Sequence, residues 1–146
     1  MDPQITLERP TDGEISRIEA ILRRNGLPAD DVRANAEQFF VASTDGKFVG
    51  IGGVETYGSA GLLRSVVVTE PYRNHGYGTA LCANLESYAR TEGVTALYLL
   101  TTAAATFFGQ RDYEEVSRAE PPRCIRETTE FTTLCPDSAT CLRKRL

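Results

Sequence analysis

Apolar residues recur along this chain with two periods, and the switches between them set out the elements in order. Ile5 and Leu7 alternate with polar neighbours and predict a short first strand. Ile15, Ile18 and Leu22 then fall on one helical face. Thr11-Asp12-Gly13-Glu14 ahead of them predicts a capping box, and Asn25-Gly26 a left-handed end. Pro28-Ala29-Asp30 predicts the start of a second, shorter helix, because proline and acids suit a first turn. Phe39–Thr44 and Lys47–Tyr57 read as strands joined by Asp45-Gly46, a strong two-residue hairpin signal. Gly58–Gly61 reads as the next turn and Leu62–Val68 as the next strand.

Gly50, Gly52 and Gly53 inside the long middle strand predict a close approach by a helix or a ligand. A helical pattern begins at Thr79, with Leu81, Leu85, Tyr88 and Ala89 as its apolar stripe. Glu86 and Arg90 read as an i,i+4 pair on this helix, and Gly93 as its end. A strand over Ala96–Thr101 follows, then a short helix from Ala103 to about Gly109 and a strand over Tyr113–Ser117. Pro121-Pro122 introduces a helix expected to run to about Phe131, and Ala139–Leu146 predicts the last strand. No internal repeat or linker interrupts the 146 residues. Hairpins followed by strand–helix–strand–helix–strand predict one domain with a mixed α/β sheet.

Charge and cysteine content narrow the chemistry. A net charge of −4 and a pI near 5.1 argue against nucleic acid as a partner. No apolar run reaches bilayer length and the N-terminus lacks a signal-peptide pattern, so a cytoplasmic protein is expected, with no membrane partner. Cys82, Cys124, Cys135 and Cys141 show neither CxxC pairing nor zinc-ligand spacing, which predicts free thiols and no metal.

The most specific local signal is Arg73-Asn74-His75-Gly76-Tyr77-Gly78, set between the apolar run Val66-Val67-Val68 and the helical pattern from Thr79. A strand that turns on glycines into a helix leaves unpaired backbone N–H groups at the positive end of the helix dipole. Such a turn suits a phosphate or pyrophosphate, and its glycines let the backbone itself touch the ligand. Arg73 and His75 add charge at the rim. Leu81 stands where a dinucleotide fingerprint needs its third glycine, and no Gly-Lys-Ser/Thr follows, so neither a Rossmann site nor a Walker loop fits.

This hexapeptide after a valine-rich strand resembles the acetyl-CoA pyrophosphate loop of the GNAT N-acetyltransferase superfamily, whose motif reads Arg/Gln-x-x-Gly-x-Gly/Ala. The element order is similar to that family's too. A closer resemblance, to acetyltransferases associated with arsenic-resistance operons, rests on Leu62-Leu63-Arg64-Ser65, Leu97-Tyr98-Leu99-Leu100-Thr101-Thr102 and a C-terminal stretch. That stretch comprises Ile125-Arg126, Glu130-Phe131, Leu134-Cys135-Pro136, Ser138-Ala139, Cys141, Lys144 and Leu146. Leu-Thr-Thr followed by a paired aromatic is also similar to N-acetylglutamate synthase. The resemblance implies an acyl-CoA N-acyltransferase fold: a central twisted, mostly antiparallel sheet flanked by helices.

It also implies acetyl-CoA as cosubstrate, a small amine such as an amino acid or a toxic analogue as acceptor, direct attack in a ternary complex, and a possible homodimer. In that family the strand ending here at Val68 splays from the one starting near Ala96, and pantetheine enters the gap. Carried over, the backbone of Val66, Val67 and Val68 meets pantetheine and polarises the thioester carbonyl. Arg73, Asn74, His75, Gly76, Tyr77, Gly78 and Thr79 cradle the pyrophosphate, and Phe107 and Phe108 wall the acetyl end. Many members carry a tyrosine as general acid where Phe108 stands here, and an asparagine where Thr101 stands. An acyl-CoA-binding sensor without turnover, or a peptide or protein N-acetyltransferase, is the alternative.

Removing a proton from the acceptor amine calls for a carboxylate. Period-2 counting puts Glu55 on one face with Val49, Ile51, Gly53 and Tyr57, which makes it the candidate base, acting through water. If Tyr57 pairs with Leu62, Glu55 stands opposite Arg64, and the two form a cross-strand ion pair. Arg64 is in turn a candidate for holding a substrate carboxylate, as are Arg123 and Arg126. Arg126 is favoured, although Arg123–Glu127 and Arg126–Glu130 also have the spacing of solvated i,i+4 pairs.

Overall fold

A computed structural model describes residues 4–128, 131–132 and 138–146. The elements are β1 (Thr6–Glu8), α1 (Asp12–Arg24), β2 (Phe39–Thr44), β3 (Lys47–Tyr57), β4 (Ala60–Val68), α2 (Tyr77–Thr91), β5 (Ala96–Thr101), α3 (Ala105–Gly109), β6 (Glu114–Val116), α4 (Arg123–Arg126) and β7 (Thr140–Arg145). The seven strands are hydrogen-bonded in the order β1-β2-β3-β4-β5-β7-β6. Only the β4–β5 pairing is parallel among those resolved in register, so the mixed, mostly antiparallel α/β class is borne out. The chain clusters into two compact units, Met1–Val54 with Ser65–Ser87, and Glu55–Arg64 with Tyr88–Leu146.

The first unit is built on α1. Thr11 accepts from the Glu14 backbone N–H at 3.3 Å while the Glu14 carboxylate accepts from Thr11 N–H at 2.8 Å, the reciprocal box expected from sequence. At the other end Gly26 sits at φ 69°, and Leu27 N–H reaches back to Leu22 O at 2.8 Å, completing a Schellman turn. Ile15, Ile18, Ile21 and Leu22 are buried against Phe39 and Val41 of β2, Ile51 of β3 and Val67 of β4. Asp45 and Gly46 both take positive φ, 49° and 77°, as a type I′ hairpin requires. A Cβ on Gly50 would lie 2.6 Å from the Val67 carbonyl oxygen, and one on Gly52 would lie 2.5 Å from Leu85 Cδ1 of α2. The glycines of β3 thus admit a strand backbone at one point and a helix side chain at the other.

Several expectations are corrected. The second helix is a 3₁₀ turn over Arg33–Gln38, broken at Asn35, rather than a helix starting near Pro28. The Asn35 side chain donates to Asp31 O at 2.9 Å, a local bond that competes with a helical ladder. α2 opens at Tyr77, two residues before the predicted start. Glu86 is buried at 5% exposure, and Arg90 is exposed.

In the second unit β5 pairs with β7 over six positions, from Ala96↔Arg145 to Thr101↔Thr140. Pairing of β5 with β4 covers Ala60↔Ala96, Gly61↔Leu97 and Leu62↔Tyr98. Ala60, Leu62, Tyr98, Ile125, Phe131 and Cys141 form its core. The turn before β4 is two residues, Gly58 and Ser59, with Gly58 at φ 67°, not the four expected; the strand starts at Ala60. α4 spans Arg123–Arg126, the Thr128 hydroxyl donates to Ile125 O at 2.7 Å, and Phe131 and Thr132 are again helical, with residues 129 and 130 outside the described residues. Glu130, Leu134, Cys135 and Pro136 lie outside the described residues.

Candidate active site

The glycine elbow belongs to the first unit. After β4 a single 3₁₀ turn, Glu70–Tyr72, leads into Arg73–Gly76, and α2 begins at Tyr77. Asn74 and Gly76 take left-handed conformations, φ 65° and 83°, a region glycine occupies freely and asparagine tolerates. The Gly76 carbonyl accepts from Ala80 N–H at 3.2 Å, which makes Gly76 the cap of α2. The first turn of α2 carries no acidic residue, so nothing on it opposes an anion at the dipole's positive end. Arg73, Asn74, His75, Gly76 and Thr79 are exposed, and Tyr77 and Gly78 half-buried. Tyr72 and Tyr77 meet edge to face at 5.4 Å and brace the loop from both ends.

Arg73 does more than carry charge at the rim. Its Nε donates to Val68 O at 2.9 Å and its Nη2 to Asn25 Oδ1 at 3.1 Å, tying the loop to the end of β4 and to the cap of α1. Val67 is buried in the core of this unit, so its side chain is not available to a ligand, while Val66 and Val68 are half-buried. Ser65, one residue earlier, stands at φ 60° in the middle of the strand. A non-glycine residue held there is strained and turns the strand's backbone groups out of their regular alternation. No turn residue marks this position in the sequence, and it was not anticipated.

The second unit holds a buried polar cluster. Glu55 and Arg64 are 6% and 3% exposed, and Arg64 Nη1 donates to Glu55 Oε2 at 3.2 Å. Glu55 and Arg64 thus form the ion pair between β3 and β4 that the sequence offered as an option. Tyr57, half-buried, donates its hydroxyl to Glu55 Oε1 at 2.5 Å. Burial, then the bond to Glu55 and its charge, hold the Tyr57 phenol well above its ordinary value, so it is a donor at any physiological pH. Tyr57 was placed on the Glu55 face by period-2 counting, yet its hydroxyl was not singled out.

Phe108 is buried, edge to face with Phe107 at 5.1 Å and with Tyr113 at 5.5 Å. Phe107 is half-buried, and the Arg111 guanidinium lies 3.9 Å from its ring centre. The Thr101 hydroxyl accepts from Ala104 N–H at 2.9 Å and so shapes the approach to α3. Arg123 pairs with Glu127 at 2.6 Å with both side chains largely in solvent. Arg126 is exposed and donates its Nε to Pro121 O at 3.0 Å. Among the described residues no group of three His, Cys, Asp or Glu is arranged to hold a metal. Cys82 and Cys141 are buried and Cys124 exposed; burial pushes the Cys141 thiol up to about 11, which leaves it protonated and a poor soft ligand.

Comparison with known proteins bears on the family and the fold. The model of the acetyltransferase (GNAT) family matches residues 7–115. An amino-acid acetyltransferase of Neisseria meningitidis is 25% identical over 132 residues, which cover 84% of this chain and 30% of that protein. The chain therefore spans under a third of that relative's length. An uncharacterized N-acetyltransferase of Chlorobaculum tepidum is 29% identical over 114 residues, 77% of this chain and 70% of that protein. Among solved structures, N-acetylglutamate synthase of Neisseria gonorrhoeae, complexed with coenzyme A and N-acetyl-glutamate, superposes with a TM-score of 0.84 at 21% identity, over 100% of this chain and 36% of that one. No helix among the described residues is long and apolar enough to cross a membrane.

Proposed function

The chain belongs to the acetyltransferase (GNAT) family, and on that premise we propose that it moves an acetyl group from acetyl-CoA to the amine of a small molecule, an amino acid or an analogue of one. The observation that carries the reading is the elbow: two left-handed residues, Asn74 and Gly76, at the acid-free N-terminus of a 15-residue helix. The first N–H groups of a helix have no acceptor within it and suit a diphosphate, and an acid in the first turn would oppose one. Arg73 keeps that backbone in place through Val68 and Asn25. Acetyl-CoA supplies the activated thioester. Glu55 is the base for the acceptor amine, with Arg64 as its counter-charge. Because Arg64 is buried against Glu55, the grip on an acceptor carboxylate falls to Arg126, whose side chain is exposed. Relatives named for amino-acid acetylation support that acceptor class. The resemblance to acetyltransferases of arsenic-resistance operons adds toxic amino-acid analogues to the candidates.

Calorimetry with coenzyme A, followed by thiol release over a panel of amino acids, their analogues, polyamines and peptides, tests the reading. Binding is expected, and Gly76→Ala, which strains the left-handed cap by roughly 1–3 kcal/mol, should weaken it about tenfold or more. Free amino acids should turn over, and Arg126→Ala should raise KM for them with little change in kcat. Binding without turnover on any amine would make the protein a sensor of acyl-CoA; activity confined to peptides would make it a peptide N-acetyltransferase. Folded protein that ignores coenzyme A sinks the proposal.

A further inference from the structure

The carboxylate chosen as base does not stand open to an acceptor. Glu55 is buried, and each of its oxygens already receives a donor, Oε2 from Arg64 and Oε1 from Tyr57. Of the three side chains, only Tyr57 retains substantial exposure. Its ring packs against the second unit's core of Ala60, Leu62, Tyr98 and Ile125, which fixes the hydroxyl's position. A phenol oxygen that donates one hydrogen bond still has lone pairs with which to accept another. The sequence had suggested a water between Glu55 and its target; the structure puts a hydroxyl of the protein itself against the carboxylate.

Resting on the transfer reading above, we infer that Tyr57 is a catalytic residue that relays the acceptor's proton to Glu55. The acceptor ammonium gives a proton to the Tyr57 oxygen as the Tyr57 O–H proton passes to Glu55 Oε1. One N–H bond breaks, one phenolic O–H is exchanged, and one carboxyl O–H forms. The amine is left neutral with its lone pair free, Tyr57 ends as it began, and Glu55 holds the proton until solvent takes it back. No oxidant, metal or free tyrosinate is needed. Burial and the Glu55 charge favour the phenol over the phenolate, which suits a relay and excludes Tyr57 as an independent base. Among the described residues, the titratable and charged groups facing the Tyr57 hydroxyl are Glu55 on its own strand, Arg64 on β4 and Cys124 on α4.

Tyr57→Phe keeps the ring and removes only the oxygen. With the best acceptor of the panel, kcat should fall by about 10²-fold, the lower range for lost acid–base catalysis, while coenzyme A binds as before. Glu55→Gln should cost a similar factor, and the double variant should be no worse than either single one, because both remove one relay. In mixtures of light and heavy water, kcat of the unaltered protein should bow downward, reporting two protons in motion, and Tyr57→Phe should straighten the plot. Unchanged kcat in Tyr57→Phe, or single losses that multiply in the double variant, overturns the relay and leaves acetyl transfer standing. Absence of turnover on every amine in the unaltered protein overturns both.

Discussion

The glycine elbow and the Glu55–Arg64–Tyr57 cluster use polar groups in opposite ways. At the elbow the chemistry belongs to the backbone: side chains are small or turned to holding the loop, residues 73–76 are exposed, and the donors are the amides that α2 cannot use itself. In the cluster the chemistry belongs to side chains, the backbone is ordinary strand, and two opposite charges are out of water. An exposed amide loses little while it waits for a ligand, since water satisfies it. A buried carboxylate beside a guanidinium is different, because either one alone would be a desolvated charge. The elbow should therefore fail as a binding device while the fold survives, whereas removing one charge of the buried pair should cost stability as well.

The largest effect should come from splitting the cluster. Arg64→Met leaves Glu55 buried without its counter-charge and should cost about 3–5 kcal/mol of stability, measured as a lower midpoint in urea with an unchanged slope. Adding Glu55→Leu to Arg64→Met should recover most of that loss, since a buried ion pair replaced by apolar groups is often neutral. If Arg64→Met is as stable as the parent, the pair is not desolvated in solution and the contrast with the elbow disappears.

A smaller loss should follow from crowding the frame that leads to the elbow. At Gly50 a new Cβ meets the Val67 carbonyl at 2.6 Å, a backbone atom that cannot turn aside. At Gly52 it meets the end of the Leu85 side chain at 2.5 Å, which can rotate. Gly50→Ala should cost about 1–3 kcal/mol and Gly52→Ala clearly less, by thermal or chemical unfolding. Equal losses would mean that β4 yields as easily as a leucine rotamer, and that the elbow sits on a softer strand than the geometry requires.

What could be read from sequence follows the same division. The capping box at Thr11, the Asp45-Gly46 turn and the elbow glycines act within a few residues of themselves, so their spacing carries their geometry. The Glu55–Arg64 pair was legible as an option, because period-2 counting fixes the face of a residue but not its register. The loop proved two residues long instead of four, and the ion pair nevertheless forms. Ser65 has no local signature, since its φ of 60° is imposed by the surrounding strand. The burial of Glu86 has no local signature either, since only tertiary packing reveals it. The Tyr57 hydroxyl was in view on the right face but is identified by distance alone.

The smallest effect sharpens the comparison most. Arg123 and Glu127 form the same kind of pair as Arg64 and Glu55 and lie closer, 2.6 Å against 3.2 Å. If proximity decided their worth, the outer pair would be the stronger. Its side chains are 82% and 62% exposed, so water and salt screen the attraction, and holding two long side chains costs entropy. Arg123→Ala should change stability by at most about 0.5 kcal/mol, and that difference should vanish in high salt. The Arg64→Met loss should instead persist in salt, because ions do not reach a buried pair. A loss at Arg123 comparable to that at Arg64 would show that distance outranks desolvation here, and the distinction between the exposed and the buried region would have to be drawn on other grounds.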